Sequence, residues 1–367
     1  MPSVTAMTMT RRSVLVAGAA LATVAPATAW AAPAASPATL SLTPPTGPYR
    51  VGIDVLHLVD PGRPDPLSPD GRPRELMVRL LYPTAARRTP DFAYLSPALS
   101  GILIEQFNAQ AGSTLPPDLL TFPTHGQLGA PVVAGRHPLV LFSPGLGFNA
   151  ALYTAIVEDL ASHGYIVAAI DHTFDAVVEF PDGRIEPPAA GVPSGLMLRV
   201  RVDDMRFVLD RVGCRPGIAG VAAVGHSMGS MTSAHAIAAD GRIRAGVALD
   251  GDMVGSPALD RPFLLAGNPR HRRATDPVWA GFYDRLRGPR LHFVIDGVLH
   301  NDFSDLTLFK STFDLTSVFA LGTIDGQRAT AILRAYALAW LDRHLRGRTS
   351  PLLIREPDRF PEVDFQP

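Results

Sequence analysis

The chain has 367 residues, 47% of them hydrophobic and 18% charged, with a formal net charge of −1. That is a globular composition with ample apolar material for a large core, and its near-zero charge gives no footing for nucleic acid or an anionic membrane as a partner. Cys214 is the sole cysteine, which excludes an intrachain disulfide and any cysteine-based metal site.

The N-terminus carries a targeting pattern. Thr10-Arg11-Arg12-Ser13-Val14-Leu15 presents twin arginines, an apolar run follows from Val14 to about Ala25, and Ala29-Trp30-Ala31 supplies an A-x-A cleavage site. The run is shorter than the ~20 residues that span a bilayer. Residues 1–31 therefore read as a signal peptide for the twin-arginine export machinery, leaving a secreted chain with no stable membrane insertion after cleavage. Residues 32–48, rich in Ala, Pro, Ser and Thr, read as a flexible leader, 49–350 as one catalytic domain and 351–367 as a C-terminal tail.

Within the domain, Tyr49–Val59 and Arg74–Tyr82 have strand character across a Pro/Gly/Asp-rich turn, as antiparallel edge strands would. Pro97–Ala111 reads as a helix with Ile102, Ile104 and Phe107 at helical spacing. From residue 138 the pattern becomes regular: an apolar strand, Pro138–Ser143, a helix, Leu152–His163, and a strand, Tyr165–Asp171. Residues 172–196 are polar and Pro-rich and interrupt the alternation. A helix is expected from about Gly195 to Val212. Strands follow at Ile243–Leu249, Pro262–Ala266 and Leu291–Ile295. Strand alternating with helix implies a mostly parallel central sheet with helices on both faces and a site at the strands' C-terminal ends.

The most informative stretch lies between these elements. The apolar run Val221-Ala222-Ala223-Val224 enters Gly225-His226-Ser227-Met228-Gly229 and passes directly into an Ala-rich helical segment. A G-x-S-x-G between strand and helix is the nucleophile elbow of the α/β-hydrolase fold, where small residues let the chain turn sharply and expose the serine. Ser227 is the candidate nucleophile. It needs a base to take its proton and a carboxylate to orient that base, in the chain order Ser, acid, His. Of the later histidines, His235 falls in the elbow helix, His271 in the Arg-rich run Arg270–Arg273, where solvation is expected, His292 inside a strand and His344 on the last helix. His300 alone follows a strand in a loop, so it is the candidate base. The strand Pro262–Ala266 runs into Gly267-Asn268-Pro269 without a carboxylate, whereas Ile243–Leu249 ends in Asp250. Asp250 is the candidate acid, with Asp252 and Asp296 as rivals that could instead stabilise loops. Two backbone N–H groups should hold the developing oxyanion. Met228 supplies one, and since Pro144 has none, Gly145 or Leu146 supplies the other.

These residues resemble a known family. Leu139–Gly147, Leu152-Tyr153, Asp159–Ala169, the elbow, Val247–Asp250 and Val298–Asp305 are similar to the plasma-type platelet-activating factor acetylhydrolases, over about residues 49–310. The resemblance implies a Ser227, Asp250 and His300 triad, Leu146 and Met228 as oxyanion donors, and an esterase acting without cofactor or metal on a small-molecule or lipid ester. Pro144 stands where that family has His, and Met228 where it has Phe. Ser143-Pro144-Gly145 and the elbow also resemble bacterial cutinases and polyester hydrolases, which place their acid where this chain has Asn268. A polyester hydrolase is therefore one alternative, and a non-catalytic binding protein on the same scaffold another. Segment 172–196 and the helix near Ile102–Phe107 lead to the expectation of a confined pocket and short acyl esters.

Overall fold

The computed structural model describes residues 40–86, 91–215, 217–354 and 358–367. The signal segment 1–31 and the first part of 32–48 lie outside the described residues. In chain order, β1 (Arg50–Pro64) and β2 (Pro73–Thr84) pair antiparallel as expected, in register from Arg50–Thr84 to Asp60–Arg74. β3 (Asp91–Ala93), α1 (Pro97–Ala111) and β4 (Pro123–Leu128) follow. The Ser96 hydroxyl caps α1 by accepting the Leu99 N–H, Pro97 occupies its first position, and Gly112 ends it in the left-handed region at φ 64°.

The alternating part then runs β5 (His137–Ser143), α2 (Thr154–Ser162), β6 (Ile166–Asp171), β7 (Val178–Glu179), β8 (Ile185–Glu186), α3 (Ser194–Val212), β9 (Ile218–His226), α4 (Met228–Ala239), β10 (Ile243–Leu249), β11 (Phe263–Gly267), α5 (Pro277–Arg285), β12 (Arg290–Ile295), α6 (Leu306–Phe309), α7 (Gly326–Arg346) and β13 (Val363–Phe365). An eleven-stranded sheet has the order β13-β12-β11-β10-β9-β5-β6-β2-β1-β4-β3. β6, β5, β9, β10, β11 and β12 are mutually parallel. This is the α/β-hydrolase arrangement. After β5 the chain first builds outward through β6 and later returns on the other side as β9. That reversal opens a crevice at the strand tips between β5 and β9.

Every second residue of these buried strands faces an opposite layer, which explains their near-continuous apolar sequences. Val140, Phe142, Val167, Ala169, Ala222 and Val224 pack toward α2 and α7, while Leu139, Leu141, Ala168, Ile170, Val221 and Ala223 pack toward α3, α4 and α5.

Three segments differ from the sequence reading. Segment 172–196 is not wholly irregular: β7 and β8 form a small antiparallel hairpin within it. Residues 40–48, expected as flexible leader, lie against the domain. Leu40 and Leu42 are buried, the Arg334 guanidinium donates to the carbonyls of Thr43 and Pro44, and Thr46 donates to Asp159. The tail 351–367 contributes β13, which closes the sheet against β12. At 32–48 and 172–196 composition points to irregular chain because burial there depends on partners far along the sequence. Among the described residues, no helix is long and apolar enough to cross a membrane.

Candidate active site

The elbow joins β9 to α4 at Ser227, whose φ of 54° and ψ of −121° place a non-glycine residue in a sparsely populated region. Such a conformation costs ~1–3 kcal/mol and persists only where the surroundings enforce it. Here they do. The Ser227 N–H donates to the Leu249 carbonyl at 2.9 Å, and the Ser230 hydroxyl lies 2.8 Å from the Gly225 carbonyl. Both motif glycines are required by space. A Cβ on Gly225 would lie 2.1 Å from the Gly229 carbonyl oxygen, and one on Gly229 would lie 1.9 Å from the Ser143 carbonyl oxygen. The second value shows that α4 starts in direct backbone contact with the end of β5.

Three strand tips bring the candidate residues together. The His300 Nε2 lies 3.0 Å from the Ser227 Oγ, and its Nδ1 lies 2.6 Å from the Asp250 Oδ2. With a carboxylate facing Nδ1, that nitrogen carries the proton and Nε2 is left to accept from the serine. The Asp250 carboxylate is buried and also accepts the Asn268 backbone N–H at 2.6 Å and side-chain amide at 2.8 Å. Burial works against its charge, but the His300 hydrogen bond, the nearby His271 and the Asn268 N–H outweigh that and hold the carboxyl below its usual range. The rivals sit elsewhere. Asp296 pairs with Arg272 at 2.6 Å with its side chain 57% exposed, and Asp252 points to solvent.

The His300 loop is itself pinned. Asp302 accepts from the Leu299 and Gly322 N–H groups, from Thr307 and from Lys310, the only lysine in the chain. Asp305 is buried between the Tyr94 hydroxyl and the Ala155 N–H at the start of α2, and burial pushes its carboxyl up to about 7.

Leu146 lies in the turn that follows β5, and Met228 follows Ser227 at the start of α4. Their N–H groups have no partner among the described residues, whereas the Gly145 N–H is committed to the Tyr153 hydroxyl at 2.9 Å. Of the two alternatives in that turn, Leu146 is the one with a free donor. Met228 begins α4, where the helix dipole also favours negative charge. The turn is held from below by a buried ion pair between Arg201 and Asp175 at 3.0 Å. Arg201 donates to the Pro144 carbonyl, and Asp175 accepts the Gly147 N–H at 2.7 Å. Neither residue was picked from the sequence. The signal was present in α3, where Arg201 and Asp204 occupy the same stripe as Met197, Val200, Met205 and Val208; charges on a buried face are worth pursuing.

The remaining histidines stay outside the chain of bonds. His292 is buried beside Trp279 and Tyr283, and His344 packs on Trp340. His271, expected in solvent, instead stacks on Trp279 with ring centroids 4.2 Å apart and bonds Asp276. Asn268, where a cutinase-type acid would stand, serves as a donor to Asp250.

Comparison with known proteins adds the following. A family model described as "Platelet-activating factor acetylhydrolase, isoform II" matches residues 35–178 and 204–350. A "Probable 1-alkyl-2-acetylglycerophosphocholine esterase" from Arthroderma benhamiae is 28% identical, covering 90% of this chain and 94% of that protein. The "Platelet-activating factor acetylhydrolase" of Bos taurus is 27% identical over 57% of each chain. Among solved structures, a ferulic acid esterase from Streptomyces cinnamoneus superimposes with a TM-score of 0.80 and 36% identity, covering 90% of this chain and all of that one.

Proposed function

The chain belongs to the platelet-activating factor acetylhydrolase family and is a carboxylic ester hydrolase; from that premise we propose a mechanism carried by Ser227, His300 and Asp250. The observation that supports it most is the unbroken line of hydrogen bonds from the Ser227 Oγ through His300 to the buried Asp250. In this reading Ser227 attacks the ester carbonyl carbon while its proton passes to His300 Nε2. The oxyanion is received by the N–H groups of Leu146 and Met228. The C–O bond then breaks, the alcohol leaves with the proton from His300, and an acyl group remains on Ser227. Water, deprotonated by the same histidine, releases the acid and restores the serine. Each step closes with protein groups and water alone.

The acyl group is proposed to be short. An apolar cavity of about 240 Å³ begins at Gly147–Asn149, immediately after Leu146, and is walled by Ile104 and Phe107 of α1 and by Phe309 and Phe319. A cavity of ~150 Å³ takes a benzene ring, so this one holds a small acyl group or a single aromatic one. Its small volume favours such groups over long chains and polyesters, since overpacking costs ~1–3 kcal/mol. The second reading, an aromatic acyl group, is favoured by the Phe107–Phe319 stack and the edge-on Phe148–Phe319 pair that line it. Measuring kcat/KM across C2 to C12 nitrophenyl esters and methyl ferulate decides between them. A maximum at C8 or longer refutes both. Secretion as folded protein by the twin-arginine route, with residues 1–31 removed, completes the proposal.

A further inference from the structure

His226, the residue before the nucleophile, is buried and lies outside the proposed proton path, yet both of its ring nitrogens are engaged. Nε2 lies 2.9 Å from the carbonyl oxygen of His300, which can only accept, so Nε2 carries the hydrogen. Nδ1 is then the acceptor for the Tyr153 hydroxyl at 2.8 Å. That hydroxyl in turn accepts the Gly145 N–H at 2.9 Å. The line therefore runs with one polarity: Gly145 N–H to Tyr153, Tyr153 O–H to His226, His226 N–H to the main chain of His300. One end is the peptide next to Leu146, and the other is the backbone that carries the base.

We infer that Tyr153 and His226 are positioning residues that lock the oxyanion turn to the His300 loop, so that the Leu146 N–H and the His300 imidazole keep one fixed spacing around Ser227. This rests on the mechanism proposed above. Three further observations support it. A Cβ on Gly145 would lie 3.1 Å from both the His226 Nδ1 and the Tyr153 hydroxyl oxygen, so the turn is seated directly on this pair. The His226 ring is held by its neighbours, with its centroid 4.6 Å from that of His300 and parallel to Phe303 within 11°. Burial first, and the charge of His300 second, push the His226 imidazole down to about 3, so it stays neutral and keeps one donor and one acceptor. Burial also raises the Tyr153 phenol, so its hydroxyl hydrogen stays in place.

The two halves of the line can be cut separately in the full-length enzyme. Tyr153→Phe and His226→Gln both lose the Tyr153 link, while the glutamine amide still reaches the His300 carbonyl. His226→Asn keeps an acceptor for Tyr153 and loses the donor to His300. The readouts are kcat and KM for nitrophenyl acetate, affinity for an alkylboronic acid that forms a tetrahedral adduct on the serine, and thermal melting. Tyr153→Phe and His226→Gln should each lower kcat and boronate affinity by about tenfold or more, with KM within twofold, because a preorganised donor matters only once the charge develops. The double variant should be no worse than the worse single one, since both cut the same line. The inference is overturned if Tyr153→Phe leaves kcat within twofold, if KM and boronate affinity weaken equally, or if the two effects multiply. Should the His226 variants fail to fold, the shape-conserving Tyr153→Phe decides alone. Ser227→Ala separates this from the parent reading: an active Ser227→Ala enzyme sinks the serine mechanism itself, whereas an inactive one beside a normal Tyr153→Phe sinks only the positioning role.

Discussion

Replacing Asp250 by Asn changes one atom of the side chain and leaves its shape intact, so its consequence can be worked from the three donors that face it. In one orientation the new amide nitrogen sits at the Oδ1 position, 2.6 Å from the Asn268 backbone N–H. Two donors then face each other in a buried site, at ~1–3 kcal/mol, and the backbone has little room to retreat. In the other orientation the nitrogen sits at the Oδ2 position, facing His300 Nδ1 at 2.6 Å and the Asn268 side-chain amide at 2.8 Å. This arrangement is the easier one, because His300 answers by moving its proton to Nε2. The histidine is then in the wrong tautomer to accept from Ser227. Loss of the imidazolium's counter-charge adds to the effect, and turnover should fall by about 10³- to 10⁴-fold, or ~4–5.5 kcal/mol of barrier. Initial rates with nitrophenyl acetate, normalised to active sites titrated with a phosphonate, measure it. Melting temperature should move little by comparison. The reasoning fails if Asp250→Asn keeps more than a tenth of wild-type turnover, or if Asp296→Asn or Asp252→Asn is the more damaging change.

Gly229→Ala should cut turnover at least tenfold and destabilise the fold by ~1–3 kcal/mol, because its Cβ would strike the Ser143 carbonyl; normal activity and melting would contradict the elbow geometry. Asp305 has its folded pKa raised to about 7 against an unfolded value near 4. Its contribution is therefore fully present below about pH 4 and is lost as pH rises through 7. Denaturant titrations should show Asp305→Asn gaining stability relative to wild type, on the order of a few kcal/mol, between pH 4 and 7, and parallel pH profiles would refute it. Changing Arg11 and Arg12 to Lys together should abolish export, and the mature chain should begin at Ala32; secreted protein that still starts at Met1 would rule out the signal reading.

How much of this could be read from the sequence followed how local each signal is. The strands from Pro138 onward, helix Pro97–Ala111 and the elbow were legible because periodicity and turn chemistry act over a few residues. His300 and Asp250 were legible because each directly follows a strand whose direction is known, so their side chains gather at one end of the sheet. Arg201, Asp175, Tyr153 and His226 were not. Their meaning lies in partners 8 to 74 residues away, and spacing along the chain carries no record of such contacts. The seating of Leu40 and Leu42 escaped for a related reason. Two leucines in an Ala/Pro/Ser/Thr-rich stretch look like linker until Arg334, some 290 residues on, ties the adjacent carbonyls down.

Lys310 has a practical consequence. Its side chain is 11% exposed, its ammonium group is bound to Asp302 and to the Gly322 carbonyl, and no other side chain in the protein carries a primary amine. Acylating or cross-linking reagents that seek lysine therefore find no accessible target on the folded domain. Dyes or resins using that chemistry would attach through the chain's α-amine, giving a single, uniform linkage. The same scarcity makes lysine a built-in reporter. Reaction at Lys310 competes with its bonds to Asp302 and to the Gly322 carbonyl, so its rate reports how firmly the His300 loop is held without any engineered probe.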